Sequence, residues 1–452
     1  MFFNKNVNQK AILDFVTKFK EIGNLQQFAI LHNDELQVRF AVHPYETSDV
    51  KQLFSISKTF TSLAIGKAVD EGKLNLHAKV LDFFRGMFPP NVKFDPNLEK
   101  MEVYHLLTMN TGHPSCTMGQ ISCGNPVKAF LELPIPYEPG TYFAYNTGAS
   151  LILAVILNIV TGKDVDEYLK PILDEMGIHD YYFEKIMGNC LGGVGQHTNI
   201  DALLSLGSLL LHKGKCNGKQ LISKEYIELA TSNLVDNSRN GTPDWTCGYG
   251  LHLWRGLDGF RADGAFGQLS MVIPKKNIVI AVQANVNSMQ KEIDLIRELV
   301  SNLYADCDVE DIESKINDVY KIEVSKALNF EKQEMICESN RLGINNISIS
   351  NLGDKLSVVF TGTNSFTIEA GNGYYIKSKF MATGIKNKHN MMPPFIEESI
   401  ISSHYVYDGN KLTIYSKNHN TPLPQEFIFE YQNDDCKVIV NNVVITAKIC
   451  NR

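Results

Sequence analysis

The chain has 452 residues, with 43 Lys and Arg against 50 Asp and Glu (net charge −7), 44% hydrophobic and 21% charged residues. Such a chain buries a large core and exceeds one ordinary domain, and its acidic balance leaves no basic surface for nucleic acid. No stretch approaches the roughly 20 apolar residues of a membrane span, and residues 1–10 (MFFNKNVNQK) lack the apolar centre of an export signal, so a cytoplasmic chain is expected.

A short helix is predicted around residues 8–21. Residues 27–42 then alternate, with Phe28, Ile30, Leu36, Val38 and Phe40 apolar around a polar turn at 32–35, the pattern of a hairpin. Residues 52–71 read as a helix closed by Gly72 in the left-handed cap position. A helical, loop-rich stretch follows, with helices predicted at 103–109, 126–133, 147–161, 165–176, 201–213 and 223–232. Strand character returns at 247–254, 269–273 and 278–285, and an amphipathic helix closes the region at 291–304.

Strands at both ends of a helical insert predict an α/β (α+β) architecture: one antiparallel sheet assembled from the two ends of the region, flanked by helices, with a helical subdomain. Beyond a charged, helix-prone connector at 308–330, short alternating runs appear at 347–349, 356–360, 374–376, 404–407, 411–415, 426–431 and 437–445, separated by Gly and Asn turn signals. They predict a small all-β domain. The expected division is therefore 1–306 and 307–452.

Residues 53–66 (LFSISKTFTSLAIG) place Ser55 and Lys58 three apart at the start of the second helix, on one face. A lysine in a crowded, desolvated site loses preference for its proton and then helps to deprotonate the serine. In residues 137–150 (YEPGTYFAYNTGAS) a Pro-Gly turn leads to Tyr145 just before a helix. A phenol beside an ammonium is expected to have its anion favoured and to relay a proton to the leaving group. Residues 260–268 (FRADGAFGQ) read as a tight turn before a strand, small enough at Gly264, Ala265 and Gly267 for a substrate carbonyl to approach backbone N–H groups.

In this order the three motifs resemble the serine β-lactamase-like superfamily, in the branch of class C β-lactamases, D,D-peptidases and related esterases; residues 105–113 (HLLTMNTGH) and 72–76 (GKLNL) add to the likeness, which spans about 20–305. The resemblance implies Ser55 as the acylated nucleophile, Lys58 as its proton acceptor or electrostatic partner and Tyr145 as the second proton-transfer group, with the N–H groups of Ser55 and Ala265 as the oxyanion hole. It implies substrate contacts from Asn146, Thr147, Arg261, Asp263 and Gly264.

Two departures stand out. The family's Tyr-x-Asn reads Tyr145-Asn146-Thr147, and the Lys or His that opens the family's third motif is replaced by Ala262, leaving Arg261 as the adjacent cation. The expected activity is hydrolysis of a small ester, amide or peptide by an esterase or peptidase that needs no cofactor. A β-lactamase or D,D-carboxypeptidase, and a non-catalytic penicillin-binding-like sensory module, are the alternatives. The nine cysteines are dispersed without metal-ligand spacing and suit reduced thiols, Cys116 and Cys123 being the closest pair; His105, His113 and His197 read as structural, so no metal site is expected.

Overall fold

The computed structural model describes residues 1–121, 125–304, 307, 309–363, 365–380 and 399–451, so Cys123 and any bridge to Cys116 lie outside the described residues. The chain divides into two compact units, one of Met1–Phe40 and Gln52–Glu310, the other of Ala41–Lys51 and Asp311–Arg452.

The first unit holds the strands β1 (Phe2–Phe3), β2 (Gly23–His32), β3 (Glu35–Ala41), β4 (Trp254–Arg255), β5 (Phe260–Gly264), β6 (Gln268–Ile273) and β7 (Ile278–Val286) in one sheet of order β1-β3-β2-β7-β6-β5-β4. The two ends of the unit meet at β2 and β7, which pair antiparallel with Ile30 opposite Ile280. Both strands are buried over most of their length, because each face of the sheet is covered. The helices α1 (Gln9–Ile22) and α5 (Met289–Ser301) pack together, α1 against β2, while α4 (Ile200–Leu211) packs on β2, β6 and β7.

Helix α2 (Ser57–Asp70) packs against α3 (Thr147–Thr161) and the helix Val165–Glu175. It is buried on almost every side, which is why its sequence is apolar or small all round rather than amphipathic. Gly72 follows it at φ +68°. Among the described residues no single helix is long and apolar enough to cross a membrane.

Three expectations are corrected. Residues 247–254 do not form a strand: Gly248 at φ +105° and His252 at φ +60° interrupt the extended backbone, and only Trp254 enters β4. The 260–268 motif is a strand and turn, because Phe260–Gly264 pairs with β6 along its whole length. The predicted run 437–445 is two strands, Asp435–Val440 and Val443–Asn451, hinged where Asn441 adopts φ +53°.

The second unit is a ten-stranded sheet whose ends approach through a further pairing between Phe366–Asn372 and Ser399–Tyr407, giving a barrel-like all-β domain. Alternate residues such as Ile347, Ile349, Leu356, Val358, Phe360, Phe427 and Phe429 form its apolar core, as the two-residue strand period requires. Within this unit the segment Ala41–Lys51 is held by buried polar groups: Lys51 Nζ donates to the Asn418 carbonyl at 2.9 Å, and His419 pairs with Asp49 at 2.7 Å and Ser402 at 2.8 Å. The order Ser402, His419, Asp49 is that of a hydrolytic triad, yet Ser402 and His419 are each only 2% exposed, so the arrangement ties the chain together and presents no nucleophile.

Gly207 tests how α4 meets the sheet. Helix propensity alone favours Gly207→Ala by about 1 kcal/mol, but the added Cβ would stand 2.3 Å from Val279 Cγ1 and 2.9 Å from Ser270 Oγ. The variant is expected to be destabilised by roughly 1–3 kcal/mol in urea unfolding, with partial recovery in the double variant Gly207→Ala/Val279→Ala.

Candidate active site

The turn that carries Ser55 precedes α2. Phe54 adopts φ +49°, uncommon for a bulky residue, and is held there by Ser57, whose Oγ donates to the Phe54 carbonyl at 2.6 Å, and by the edge of Phe266 with ring centroids 5.3 Å apart. The Leu53 N–H donates to Gln196 at 2.9 Å. Ser55 therefore sits on a single 3-10 turn, Phe54–Ile56, rather than inside the helix, and stays partly exposed.

Lys58, on the first turn of α2, is 1% exposed. Its ammonium donates to Ser55 Oγ at 3.0 Å and to the Gly193 carbonyl at 2.8 Å, and lies 4.8 Å from the centre of the Tyr145 ring. Burial pushes its pKa down to about 7, with Cys116 and Asp263 pulling more weakly the other way. Gly193 is a functional residue that motif reading missed. The signal was the run 191–195 (LGGVG): a Cβ on Gly192 would meet the Ser150 carbonyl of α3 at 2.2 Å, so only glycine brings this loop close enough for its carbonyl to reach Lys58.

Tyr145 comes from the extended segment before α3 and hydrogen-bonds to Ser55 and Trp254. Its ring stacks on Trp254 at 5.2 Å, in a small cluster with Phe143, Tyr249, Trp245 and Met109 that is separate from the main core. The expectation of a favoured phenolate is corrected: burial, then the Asp263 carboxylate, push the Tyr145 pKa up, so the group is a neutral hydroxyl. Buried His252, also unanticipated, pairs with Ser150 at 2.9 Å; burial and then Lys58 push it down to about 3, so it is neutral too.

Asn146 caps α3. Its Oδ1 accepts from Gly148 N at 3.0 Å and from both Thr117 N and Thr117 Oγ1, at 3.0 and 2.8 Å. Its carbonyl end is spent on the helix cap and on Thr117, and the neighbouring Thr147 packs on the loop whose carbonyl holds Lys58: its Cγ2 would meet a Cβ on Gly193 at 2.8 Å. The Thr147 N–H donates to Cys116 Sγ at 3.3 Å.

On β5 the strand period divides the third motif between two faces. Ala262 packs in the main core, whereas Arg261 and Asp263 share the other face, bonded Nε to Oδ2 at 3.1 Å. Arg261 is 1% exposed, with its guanidinium over Trp245 at 4.3 Å and Nη1 donating to the Asp244 carbonyl at 3.1 Å. Arg261 is thus ion-paired with Asp263, with its Nη2 buried and unpartnered among the described residues. Asp263 is the group that Lys58, Tyr145 and Tyr249 feel. Gly264 lies against the turn that carries Ser55, where a Cβ would meet the Leu53 carbonyl at 2.1 Å, and Ala265 follows in the half-exposed turn.

The other candidates are structural. His105 accepts from the Glu102 N–H in a helix cap, and buried His197 pairs with Glu184 at 2.7 Å. Asp164, Asp166 and Cys190 lie close enough to hold a metal, but Lys185 already answers the carboxylates at 3.1 and 2.9 Å. A concavity of about 260 Å³ between α1 and α5 is lined by none of the site residues.

The depressed Lys58 pKa predicts a stability signature. The unfolded chain holds the lysine proton to about pH 10.5 and the folded one only to about 7, so between those values the unfolded state binds more protons and stability rises with pH. Below pH 7 the cost of the buried charge is present in full. Lys58→Met should therefore exceed the wild type in stability below pH 7 by on the order of 3 kcal/mol, with the gain shrinking toward pH 10, as read from denaturant midpoints across pH.

A family model described as Beta-lactamase matches residues 26–301. The chain is 21% identical over 304 residues to an N-acetylmuramyl-L-alanine amidase of Bacillus subtilis (strain 168), covering 53% of this chain and 68% of that protein. Among solved structures it is similar to the octameric penicillin-binding protein homologue from Pyrococcus abyssi (18% identity, TM-score 0.51, 97% of this chain and 99% of that one). It is also similar to a hydrolase with promiscuous acyltransferase activity (14% identity, TM-score 0.54, 66% of this chain and 99% of that one). At these identities the structural likenesses show the fold.

Proposed function

The chain belongs to the Beta-lactamase family, and from that premise we propose that it is a serine hydrolase acting as an esterase or peptidase, cleaving a small-molecule or peptide ester or amide through an acyl-enzyme on Ser55. The observation that carries the reading is Ser55 Oγ at 3.0 Å from a buried lysine whose pKa is pushed down to about 7. Near neutrality much of Lys58 is the free amine, a base matched to its task.

In the proposed reaction Lys58 takes the Ser55 proton as Oγ attacks the substrate carbonyl carbon. The resulting oxyanion is received by the N–H groups of Ser55 and Ala265. The proton passes from Lys58 through the neutral Tyr145 hydroxyl to the leaving oxygen or nitrogen as its bond to carbon breaks, and the ester on Ser55 remains. Water then attacks that ester, gives its proton back along the same path, and releases the acid with Ser55 restored. The amidase and acyltransferase descriptions of the similar proteins agree with acyl transfer of this kind.

Substrate charge follows from β5. The family's cation is replaced by Ala262, which faces the core, and the side chain electrostatically coupled to Lys58 and Tyr145 is the Asp263 carboxylate. The adjacent cation, Arg261, is ion-paired with Asp263 at 3.1 Å, so a substrate carboxylate gains no net charge assistance there and uncharged acyl esters are favoured over penicillins and D-Ala-D-Ala peptides.

Ser55→Ala should abolish covalent labelling by a fluorophosphonate, read by intact mass, and lower kcat/KM by on the order of a thousandfold or more; wild-type labelling of the variant would sink the assignment. In the wild type the labelling rate should climb with pH and level off above about 7 as Lys58 loses its proton, since only the free amine accepts the serine proton. Turnover of short acyl p-nitrophenyl esters should exceed that of penicillins, and efficient penicillin hydrolysis with negligible ester hydrolysis would reject the esterase preference.

A further inference from the structure

His252 stands in the left-handed region at φ +60°, a backbone conformation that persists in a bulky residue only where the surroundings hold it. The side chain is 2% exposed, and three elements grip the residue. Its N–H and its Nδ1 both meet the Leu107 carbonyl at the end of the helix Val103–Leu107, at 3.0 and 2.9 Å. Its own carbonyl accepts from Thr59 Oγ1 on α2 at 3.0 Å, one residue from Lys58, and its Nε2 lies 2.9 Å from Ser150 Oγ on α3.

These partners fix the imidazole. A carbonyl only accepts, so Nδ1 carries the hydrogen and Nε2 is the bare acceptor to which the Ser150 hydroxyl donates. Burial, then the Lys58 charge, hold the ring neutral. The pair therefore places a directed hydrogen bond behind the lysine without adding a charge.

Ser150 in turn borders the loop that holds Lys58. A Cβ on Gly192 would meet the Ser150 carbonyl at 2.2 Å, and one on Gly193 would meet Ser150 Cβ at 3.0 Å. The same loop is tied to α2, where Thr61 Oγ1 donates to the Gly192 carbonyl at 2.6 Å and Lys58 Nζ to the Gly193 carbonyl at 2.8 Å. This seat matters to the ammonium, because Asn146 Oδ1, the side-chain carbonyl next to Tyr145 in sequence, is already taken by Gly148 N and by Thr117.

We propose that His252 is a positioning residue of the acylation reaction: by answering Ser150 it closes the polar contacts behind the Gly192–Gly193 loop and keeps water from the seat of the Lys58 ammonium. The proposal rests on the Ser55 and Lys58 reading above and adds one residue to it. The titratable groups about Lys58 are Cys116, Asp263 on β5, Tyr145 and His252, and burial outweighs the pull of Cys116 and Asp263 on its proton. Breaking the pair leaves a buried polar group unanswered, which admits water beside the loop. Burial is then relieved, and the lysine moves back from about 7 toward 10.5.

The test is the pH dependence of fluorophosphonate labelling, followed by intact mass on the full-length protein. The wild-type rate should climb with a midpoint of about 7. His252→Asn keeps a residue at home in the left-handed region and a donor for the Leu107 carbonyl, but its side chain is too short to reach Ser150. Ser150→Ala removes the other half of the pair. In each variant the midpoint should rise by about one pH unit or more, so that labelling falls about fivefold at about pH 7 and regains the wild-type rate by about pH 9.5. The double variant should shift no further than either single one, because the pair acts as a unit. Gly207→Ala, altered where α4 meets the sheet, should keep the wild-type midpoint.

A wild-type midpoint in folded His252→Asn or Ser150→Ala overturns the proposal and leaves the Ser55 and Lys58 assignments standing, as does a double-variant shift equal to the sum of the two. An equal shift in Gly207→Ala reduces the effect to lost stability and rejects it too. Absence of wild-type labelling, or a wild-type rate flat across pH, overturns the Ser55 and Lys58 reading and the proposal with it. If neither variant folds, the pair is a requirement of the fold and its part in the reaction is rejected.

Discussion

The Lys58 ammonium lies out of water with Ser55 Oγ at 3.0 Å and the Gly193 carbonyl at 2.8 Å as its partners, and much of the first unit is arranged around that burial. A charge removed from water is tolerated only with good partners, so both had to be brought in from outside the helix that carries the lysine. Ser55 is delivered by the left-handed Phe54 and the Ser57 clamp. Gly193 is delivered by a loop that touches the backbone of α3 and tolerates no side chain at Gly192. Helix α2 itself is surrounded by other elements on nearly every side, which supplies the low-polarity setting that moves the lysine pKa. Packing and chemistry are one arrangement here: loosening the helices around α2 would readmit water and return the lysine to an ordinary ammonium.

Behind the strand that borders the site, charge is stored in depth. Asp263 is tied to Arg261, Arg261 lies over Trp245, and Asp244 is tied to Arg297 at 3.0 Å. Glu292, fully buried, has both carboxylate oxygens unpartnered among the described residues and faces Gly267, where a Cβ would lie 2.8 Å from Oε2. Burial raises the Glu292 pKa well above its ordinary value, so it is a neutral acid beside the Ala265 turn. The ion pairs and hydrogen bonds of Asp263, Arg261 and Asp244 tie β5 to the elements behind it. The arginine next to the altered third motif is part of this network: Nε donates to Asp263 and Nη1 to the Asp244 carbonyl, while Nη2 is buried without a partner among the described residues.

The second unit follows a different logic. Its core is ordinary strand alternation, but the segment Ala41–Lys51 is anchored in it by a buried lysine and a buried His419–Asp49 pair instead of by apolar contacts alone. Burial pushes Lys51 down to about 7 as well, and its ammonium rests 4.1 Å over the Tyr45 ring. Buried polar ties of this sort are costly unless every partner is in place, and so they select one docking of the segment. The chain then runs from Lys51 to Ser55 in four residues.

Local spacing along the chain was enough for what is itself local. Ser55 and Lys58 three apart, Gly72 after the helix, the hairpin about residues 32–35 and the periodicity of 147–161 depend only on neighbours within a turn or a pleat, and the structure places those elements close to where the pattern does. The meeting of sheet strands from both ends was legible too, because apolar strands at the two ends of a helical insert have few other ways to be covered. What depends on distant partners was not. Whether Arg261 or Ala262 faces the site is set by the pairing of β5 with β6; the Tyr145 proton is held by burial and by Asp263; Gly193 matters only because α3 is beside it. Ser150 and His252 meet although no spacing links them, and residues 41–51 belong with the second unit although they lie within the first part of the chain. Periodicity records the order of residues along a chain; burial, charge coupling and close approach arise from the chain's return upon itself, and these tertiary contacts decide which of the chemically able residues form the site.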